Sequence, residues 1–223
     1  MVQFYFKRII EKIRFNFIPV YDIEDDSVYG YKIIKDFNSI GFNDKDIMYQ
    51  MAFEEDIFEI LVLKLLEKSY QLAIEKGYAE KKLFYTLRLN YVLDKSIFME
   101  RIYTLVSALQ LPQENLVFDL KGIDDWDNFY KETENCSLKY LKLYKEERMC
   151  AFNLNAITGS SAELVEIRNI ENLTLFREYI NKDVKLIFNQ NSNPALTKED
   201  LKKLGIHYYY FFNKDADNQK EEQ

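Results

Sequence analysis

Residues 83–120 read LFYTLRLNYVLDKSIFMERIYTLVSALQLPQENLVFDL, and this stretch decides the fold class. Leu83–Asn90 is rich in aromatic and branched apolar residues and reads as a strand. From Ser96 to Leu109 the period becomes helical, with Ile97, Ile102, Leu105 and Leu109 forming an apolar stripe. Pro112 closes the connection, and Asn115–Leu120 is a second strand. A strand, a helix and a strand in immediate succession make a crossover unit, which joins parallel strands.

Upstream, Phe15–Ile23 (FNFIPVYDI) and Val28–Phe37 (VYGYKIIKDF) flank the acidic turn Glu24–Ser27, so an antiparallel hairpin is expected. Pro19 implies an edge or an irregularity in the first strand. Gly30 implies a bulge or a close backbone approach in the second. From Asp46 a long helical region runs to Gly77 and divides into two helices near Glu54–Asp56. Downstream, Trp126–Glu147 reads as mainly helical and Met149–Leu154 as a strand. Ala156–Ser161 reads as a loop, Glu163–Ile170 as either strand or helix, and Leu173–Ile180 as a helix. Val184–Phe188 is a strand. Thr197 with Asp200 three residues on is a capping signature for a short helix that ends at Gly205. Ile206–Phe212 is the last strand. Seven or eight strands in this order point to a closed barrel. A (β/α)₈ barrel takes roughly 250 residues, so a shortened or incomplete one is expected, with residues 1–212 as one domain and 213–223 as a disordered polar tail.

Composition narrows the functions. The 223 residues carry 30 Lys and Arg against 37 Asp and Glu, a net charge of −7. That balance disfavours nucleic acid and anionic membranes as main partners. No apolar run reaches the 18 or so residues of a membrane span. The basic, amphipathic N-terminus MVQFYFKRIIEKIRF reads as a first helix with a solvated face. Cys136 and Cys150 suit a reducing cytoplasm and lack zinc-site spacing. The one histidine, His207, lies in an apolar strand and reads as a hydrogen-bonded structural residue. Asp124, Asp125 and Asp127 read as acids at a helix N-terminus in preference to a cation site. Gly159-Ser160-Ser161 is too short to cradle a phosphate.

The order of these segments resembles the EAL family of cyclic di-GMP phosphodiesterase domains over about Phe15–Phe212. The hairpin resembles the family's opening, in which a Gln-Pro-Ile-Val-Asp strand precedes the Glu-Ala-Leu strand; Pro19, Asp22 and Gly30 fall on family positions. LFYTLRLNYVLDKSIF resembles the strand ending in Asn-Leu-Ser, NLVFDLKG the strand ending in Glu-Ile-Thr-Glu, and LKKLGIHYYYFF the closing segment. The resemblance implies a TIM-like α/β barrel opened by an antiparallel hairpin. In active members it also implies two divalent ions held by strand-end oxygen ligands.

Position by position, this chain departs from that ligand set. The signature Glu aligns with Lys32, and the phosphate-contacting Arg four residues on aligns with Asp36. Asn90 keeps the Asn ligand, and Asp119 replaces a Glu. The Asp-Asp-Phe-Gly acids align near Phe152–Asn155, where no acid occurs. The Lys of the Leu-Lys-Ile-Asp strand has no clear equivalent in this contracted region, where the nearest match to the strand is Glu166-Ile167-Arg168-Asn169. The second acidic motif aligns with Ile187–Gln190, and the Gln of the last strand with Tyr210. We therefore expect a degenerate EAL-like domain with no catalytic residues, no metal and no cofactor. Lys32, Asp36, Asn90, Asp119 and Tyr210 would be vestigial active-site positions. The expected role is regulatory, through a protein partner, with a homodimer compatible with the family. The alternatives are a cyclic di-GMP receptor that does not cleave its ligand and, third, a residual phosphodiesterase.

Overall fold

In the computed structural model, residues 2–41, 44–145, 154–168, 170–171, 173, 177–178 and 180–211 are described, with side chains from residue 5 and, in the third segment, from residue 157. Eight strands close a barrel in sequence order: β1 (Arg14–Asp22), β2 (Val28–Asp36), β3 (Lys82–Arg88), β4 (Leu116–Lys121), β5 (Leu141–Lys145), β6 (Leu164–Ile167), β7 (Lys185–Asn189) and β8 (Tyr208–Tyr210). β1 runs antiparallel to both β2 and β8, and every other neighbouring pair is parallel. The helices with a full range among the described residues are α1 (Val2–Lys12), α2 (Lys45–Glu54), α3 (Phe58–Glu75), α4 (Lys95–Ala108), α5 (Trp126–Thr133), α6 (Leu154–Ser160) and α7 (Lys198–Lys203). The barrel is therefore complete in strand number. Its economy lies in element length, since β6 has 4 residues, β8 has 3 and α7 has 6.

Alternation along each strand explains the layering. Ile18, Val20, Phe84, Val117, Leu143, Leu164, Ile187 and Tyr210 point inward and fill the barrel. The intervening Leu83, Tyr85, Leu87, Leu116 and Phe118 point outward and pack beneath helices. On the far side Val165, Ile167, Leu186 and Phe188 do the same. α1 buries Phe6 and Ile9 and keeps Lys7, Arg8 and Glu11 outside. Its open C-terminal end is closed by α3, whose Lys68 Nζ donates to the carbonyls of Ile10 and Glu11 at 2.8 Å each and of Ile13 at 3.1 Å. No described helix is long and apolar enough to cross a membrane.

The hairpin forms as expected, with Pro19 opposite Tyr31 and a register shift at Val20/Tyr21, beside Gly30. Gly30 is a close approach: a Cβ there would overlap the Lys82 carbonyl and the Phe84 ring. The Thr197–Asp200 capping box is present at α7. Asp125 caps α5 by accepting from Asn128 N at 3.0 Å, which accounts for that acid as a helix start.

Three expectations are corrected. α5 ends at Thr133, and the fifth strand is Leu141–Lys145, inside the stretch read as helix. The alternating strand pattern of LKLYK is hidden by basic residues on its second and last positions. The strand read at Met149–Leu154 falls mostly on residues 146–153, which lie outside the described residues, and Leu154 begins α6. The Ala156–Ser161 stretch read as loop is largely helical, with Gly159 in contact with Trp126. On α4, Ile97 is exposed and Phe98, Met99 and Val106 join Ile102 in the core. Three consecutive apolar residues, 97–99, leave the helical phase ambiguous from sequence. The helix read at Leu173–Ile180 is seen where it is described, at Leu173, Arg177 and Glu178, and the polar tail lies outside the described residues.

Two outcomes follow from this packing. Gly122 has φ +79°, and a Cβ there would strike the Asn90 backbone, whereas Gly77 has φ +73° and open space around it. Gly77→Ala should cost about 1 kcal/mol from backbone strain alone, and Gly122→Ala roughly 2–3 kcal/mol once the clash is added; urea unfolding giving equal losses would contradict the close approach. His207 Nδ1 accepts from Leu186 N at 3.2 Å. Burial, with Lys185 and Arg177 nearby, holds its pKa down at about 4. The unfolded chain therefore binds the extra proton between about pH 6.5 and 4. Stability associated with His207 should be full above pH 6.5 and lost as pH falls toward 4. His207→Asn should flatten that part of the melting-temperature profile, and an unchanged profile would contradict the assignment.

Candidate functional site: the mouth of the barrel

The C-terminal ends of the parallel strands form the mouth, where loops gather in barrels of this class. Two polar layers lie there, and both follow from the period of two. In the lower layer, Lys32 on β2, Thr86 on β3, Asp119 on β4, Glu166 on β6 and Tyr210 on β8 point inward above the apolar filling. Lys32, Asp119, Glu166 and Tyr210 are all buried. Lys32 Nζ is ion-paired with Glu166 Oε2. Tyr210 completes the triangle: its hydroxyl donates to Glu166 Oε1 at 2.9 Å, and its ring lies under Lys32 Nζ at 4.0 Å. Burial raises the Glu166 pKa, but Lys32, Lys145 and the hydrogen bonds from Lys32 and Tyr210 outweigh it and hold the carboxyl at about 2. Burial and the neighbouring carboxylate push the Tyr210 phenol far up, so it stays a donor.

Asp119 accepts from Thr86 Oγ1 at 3.1 Å and is ion-paired with Lys121 Nζ at 3.1 Å. Beneath the β3 edge, Lys35 Nζ donates to the Thr86 carbonyl at 3.0 Å and sits 3.7 Å from the centre of the Tyr85 ring. Burial, and then Arg88, bring the Lys35 pKa down to about 7 against the opposing pull of Asp119.

In the upper layer each of four successive strands finishes on a base: Arg88 ends β3, Lys121 ends β4, Lys145 ends β5, and Arg168 follows β6. Arg88 and Lys121 are register partners, as are Lys145 and Glu166. These four, with Lys45, Asp46, Thr86 and Asp119, line an open cavity of about 350 Å³. Arg88 is bonded to Asp46 at 2.7 Å. Lys145 and Arg168 approach Glu166 at 3.6 and 3.5 Å.

Of the positions singled out from sequence, Lys32, Asp119 and Tyr210 come together here. Asp36 does not; its carboxylate accepts from Asn38 N at 3.1 Å and Ser39 N at 3.4 Å and starts the short 3-10 turn Phe37–Ile40. Asn90 lies beyond β3 in an exposed turn and does not line the cavity. The stretch Phe152–Asn155 cannot supply the fifth strand's end, which is Tyr144–Lys145. Residues 146–153, which include Glu146 and Glu147, lie outside the described residues. Sequence reasoning missed Glu166 as the counter-ion of Lys32, and it missed the ring of bases. The signal for the ring was present: TLR, DLK, LYK and EIR each close a strand with the base two positions beyond an inward residue.

The two-cation centre implied by the EAL resemblance does not suit these side chains. Among the described residues no three His, Cys, Asp or Glu side chains gather as a metal site. The two buried carboxylates, Asp119 and Glu166, are each already matched by a lysine ammonium.

No family model and no curated protein matches the sequence. Solved structures do match the fold. The FimX EAL domain superposes with a TM-score of 0.68 at 20% identity, covering 94% of this chain and 93% of that one. The Xanthomonas citri FimX EAL domain, solved in complex with c-diGMP, gives a TM-score of 0.68 at 10% identity, covering 94% and 90%. The EAL enzyme Bd1971 in its cGMP-bound form gives 0.64 at 11% identity; 94% of this chain is covered, but it spans only 62% of that one. At these identities the likeness concerns the fold: the chain has the EAL-type barrel.

Proposed function

We propose that this chain is a non-hydrolysing regulatory protein built on the EAL fold, acting through protein–protein contacts in cyclic di-GMP-related signalling. The observation that carries the reading is the buried pair Lys32–Glu166. The EAL resemblance places a metal-binding Glu at Lys32. A fixed ammonium at position 32 removes a metal ligand and repels a dication at close range. Glu166 is occupied by that ammonium and by the Tyr210 hydroxyl, so binding a metal would require breaking a buried ion pair.

Contacts with a protein partner are supported by apolar side chains left outside the core beside the mouth. Ile47, Met51 and Phe53 on α2, Ile60 in the first turn of α3, Leu93, and Ile97 in the first turn of α4 are all exposed, Leu93 at 89%. Phe53 stacks on Tyr91 at 4.7 Å, which holds one end of this surface in place. Exposed apolar groups concentrated on one end of a protein suit a partner interface better than solvent. A second reading, a cyclic di-GMP receptor without hydrolysis, is favoured by the basic ring at the mouth, which could hold phosphates without a metal.

Incubation of the purified chain with cyclic di-GMP and either Mn²⁺ or Mg²⁺ should give no linear or mononucleotide product. Turnover that disappears in Asp119→Asn would overturn the non-hydrolysing reading. For the contact surface, Leu93→Glu with Ile97→Glu should leave the melting temperature unchanged, since both side chains are exposed, and should abolish recovery of the proteins that wild type captures from native lysate. Undiminished capture of the same proteins would contradict the placement of the interface.

A further inference from the structure

We propose that the mouth of the barrel binds a terminal phosphate group, a phosphate monoester or pyrophosphate, directly on Arg88, Lys121, Lys145 and Arg168, with no metal ion between. The inference goes beyond the regulatory reading and does not depend on which partner the protein contacts.

Charge balance is the first argument. Lys45, Arg88, Lys121, Lys145 and Arg168 line the cavity with two described carboxylates, Asp46 and Asp119, and Lys32 and Glu166 are paired beneath it. Asp46 is taken by Arg88 and Asp119 by Lys121. Glu166 alone answers three cations: Lys32 in contact, and Lys145 and Arg168 at 3.6 and 3.5 Å. The last two separations are too long for strong hydrogen bonds. The donors of Lys145 and Arg168 are thus only loosely engaged by Glu166. The chain as a whole is acidic, at −7, so a local excess of bases runs against its own composition.

Placement is the second argument. The four bases come from consecutive strand ends, held by the barrel's parallel ladder, and they line one open cavity of about 350 Å³. That volume is at the small end of ligand pockets. Two of the four are arginines, whose planar forks match phosphate oxygens in pairs. Burial is the main cause of the low pKa of Lys35, and Arg88 and then Lys45 add to it. A doubly or more highly charged oxyanion neutralises this ring better than the single charge of a phosphodiester. It also needs no bridging dication, which the described carboxylates are poorly placed to hold.

The test is titration calorimetry of the intact chain with sodium pyrophosphate and with inorganic phosphate, in EDTA, at ionic strength held constant with NaCl. Pyrophosphate should bind, and Arg168→Gln and Lys145→Met should each weaken binding at least tenfold. Lys202→Gln, at a surface pair with Glu24, should have no effect. Circular dichroism and melting of each variant establish folding; Arg88→Gln serves as the replacement if one fails to fold. No heat at 1 mM pyrophosphate, affinity unchanged in two folded variants, or binding that appears only when Mg²⁺ replaces EDTA would each overturn the proposal. Cyclic di-GMP is the second arm: if it binds in EDTA more tightly than pyrophosphate and is weakened by the same variants, the site belongs to a phosphodiester. That would overturn the terminal-phosphate assignment while supporting the receptor reading.

Discussion

The mouth of this barrel is organised around one buried ion pair. Lys32 enters from β2 and Glu166 from β6, strands that are not neighbours, so their contact spans the barrel interior. A charge in such a place is tolerated only when paired and hydrogen-bonded. Tyr210 supplies the remaining bond to the carboxylate and an aromatic face to the ammonium. With Glu166 engaged in this way, neither residue is available to a divalent ion.

The layer above follows from this arrangement. Glu166 satisfies Lys32 closely, so Lys145 and Arg168 share what is left of its charge at longer range. Asp119 is matched by Lys121, and Arg88 by Asp46. Among the described residues that line the mouth of this EAL-type barrel, bases outnumber carboxylates. Such a mouth attracts anions directly, whereas a carboxylate-lined mouth attracts them through metal ions.

Much of the scaffold was legible in the sequence. Leu83–Leu120 disclosed the crossover unit because its strands are bounded by clear punctuation at Asn90 and Pro112. The hairpin disclosed itself through the acidic turn between two aromatic-rich runs. β5 was obscured because the lysines at the second and last positions of LKLYK resemble an exposed helix face. That displacement moved the expected fifth strand end by several residues. The pairing of Lys32 with Glu166 was not legible, since they lie 134 positions apart and a strand reading gives direction but not which inward residues meet across a barrel. Asp36 illustrates the converse: a position matched to a phosphate-contacting Arg proves to be the cap of a local turn, a role its Asp-Phe-Asn-Ser context could have suggested.

The most direct measurement of the account is a double-mutant cycle on the buried pair, Lys32→Met and Glu166→Leu, followed by urea unfolding. Each single variant strands a buried charge and should lose about 3–5 kcal/mol. The double variant should lose much less than the sum, because it removes both charges together. Additive losses, or a Lys32→Met variant as stable as wild type, would mean that the two charges do not depend on one another, and the electrostatic basis of the site would be wrong.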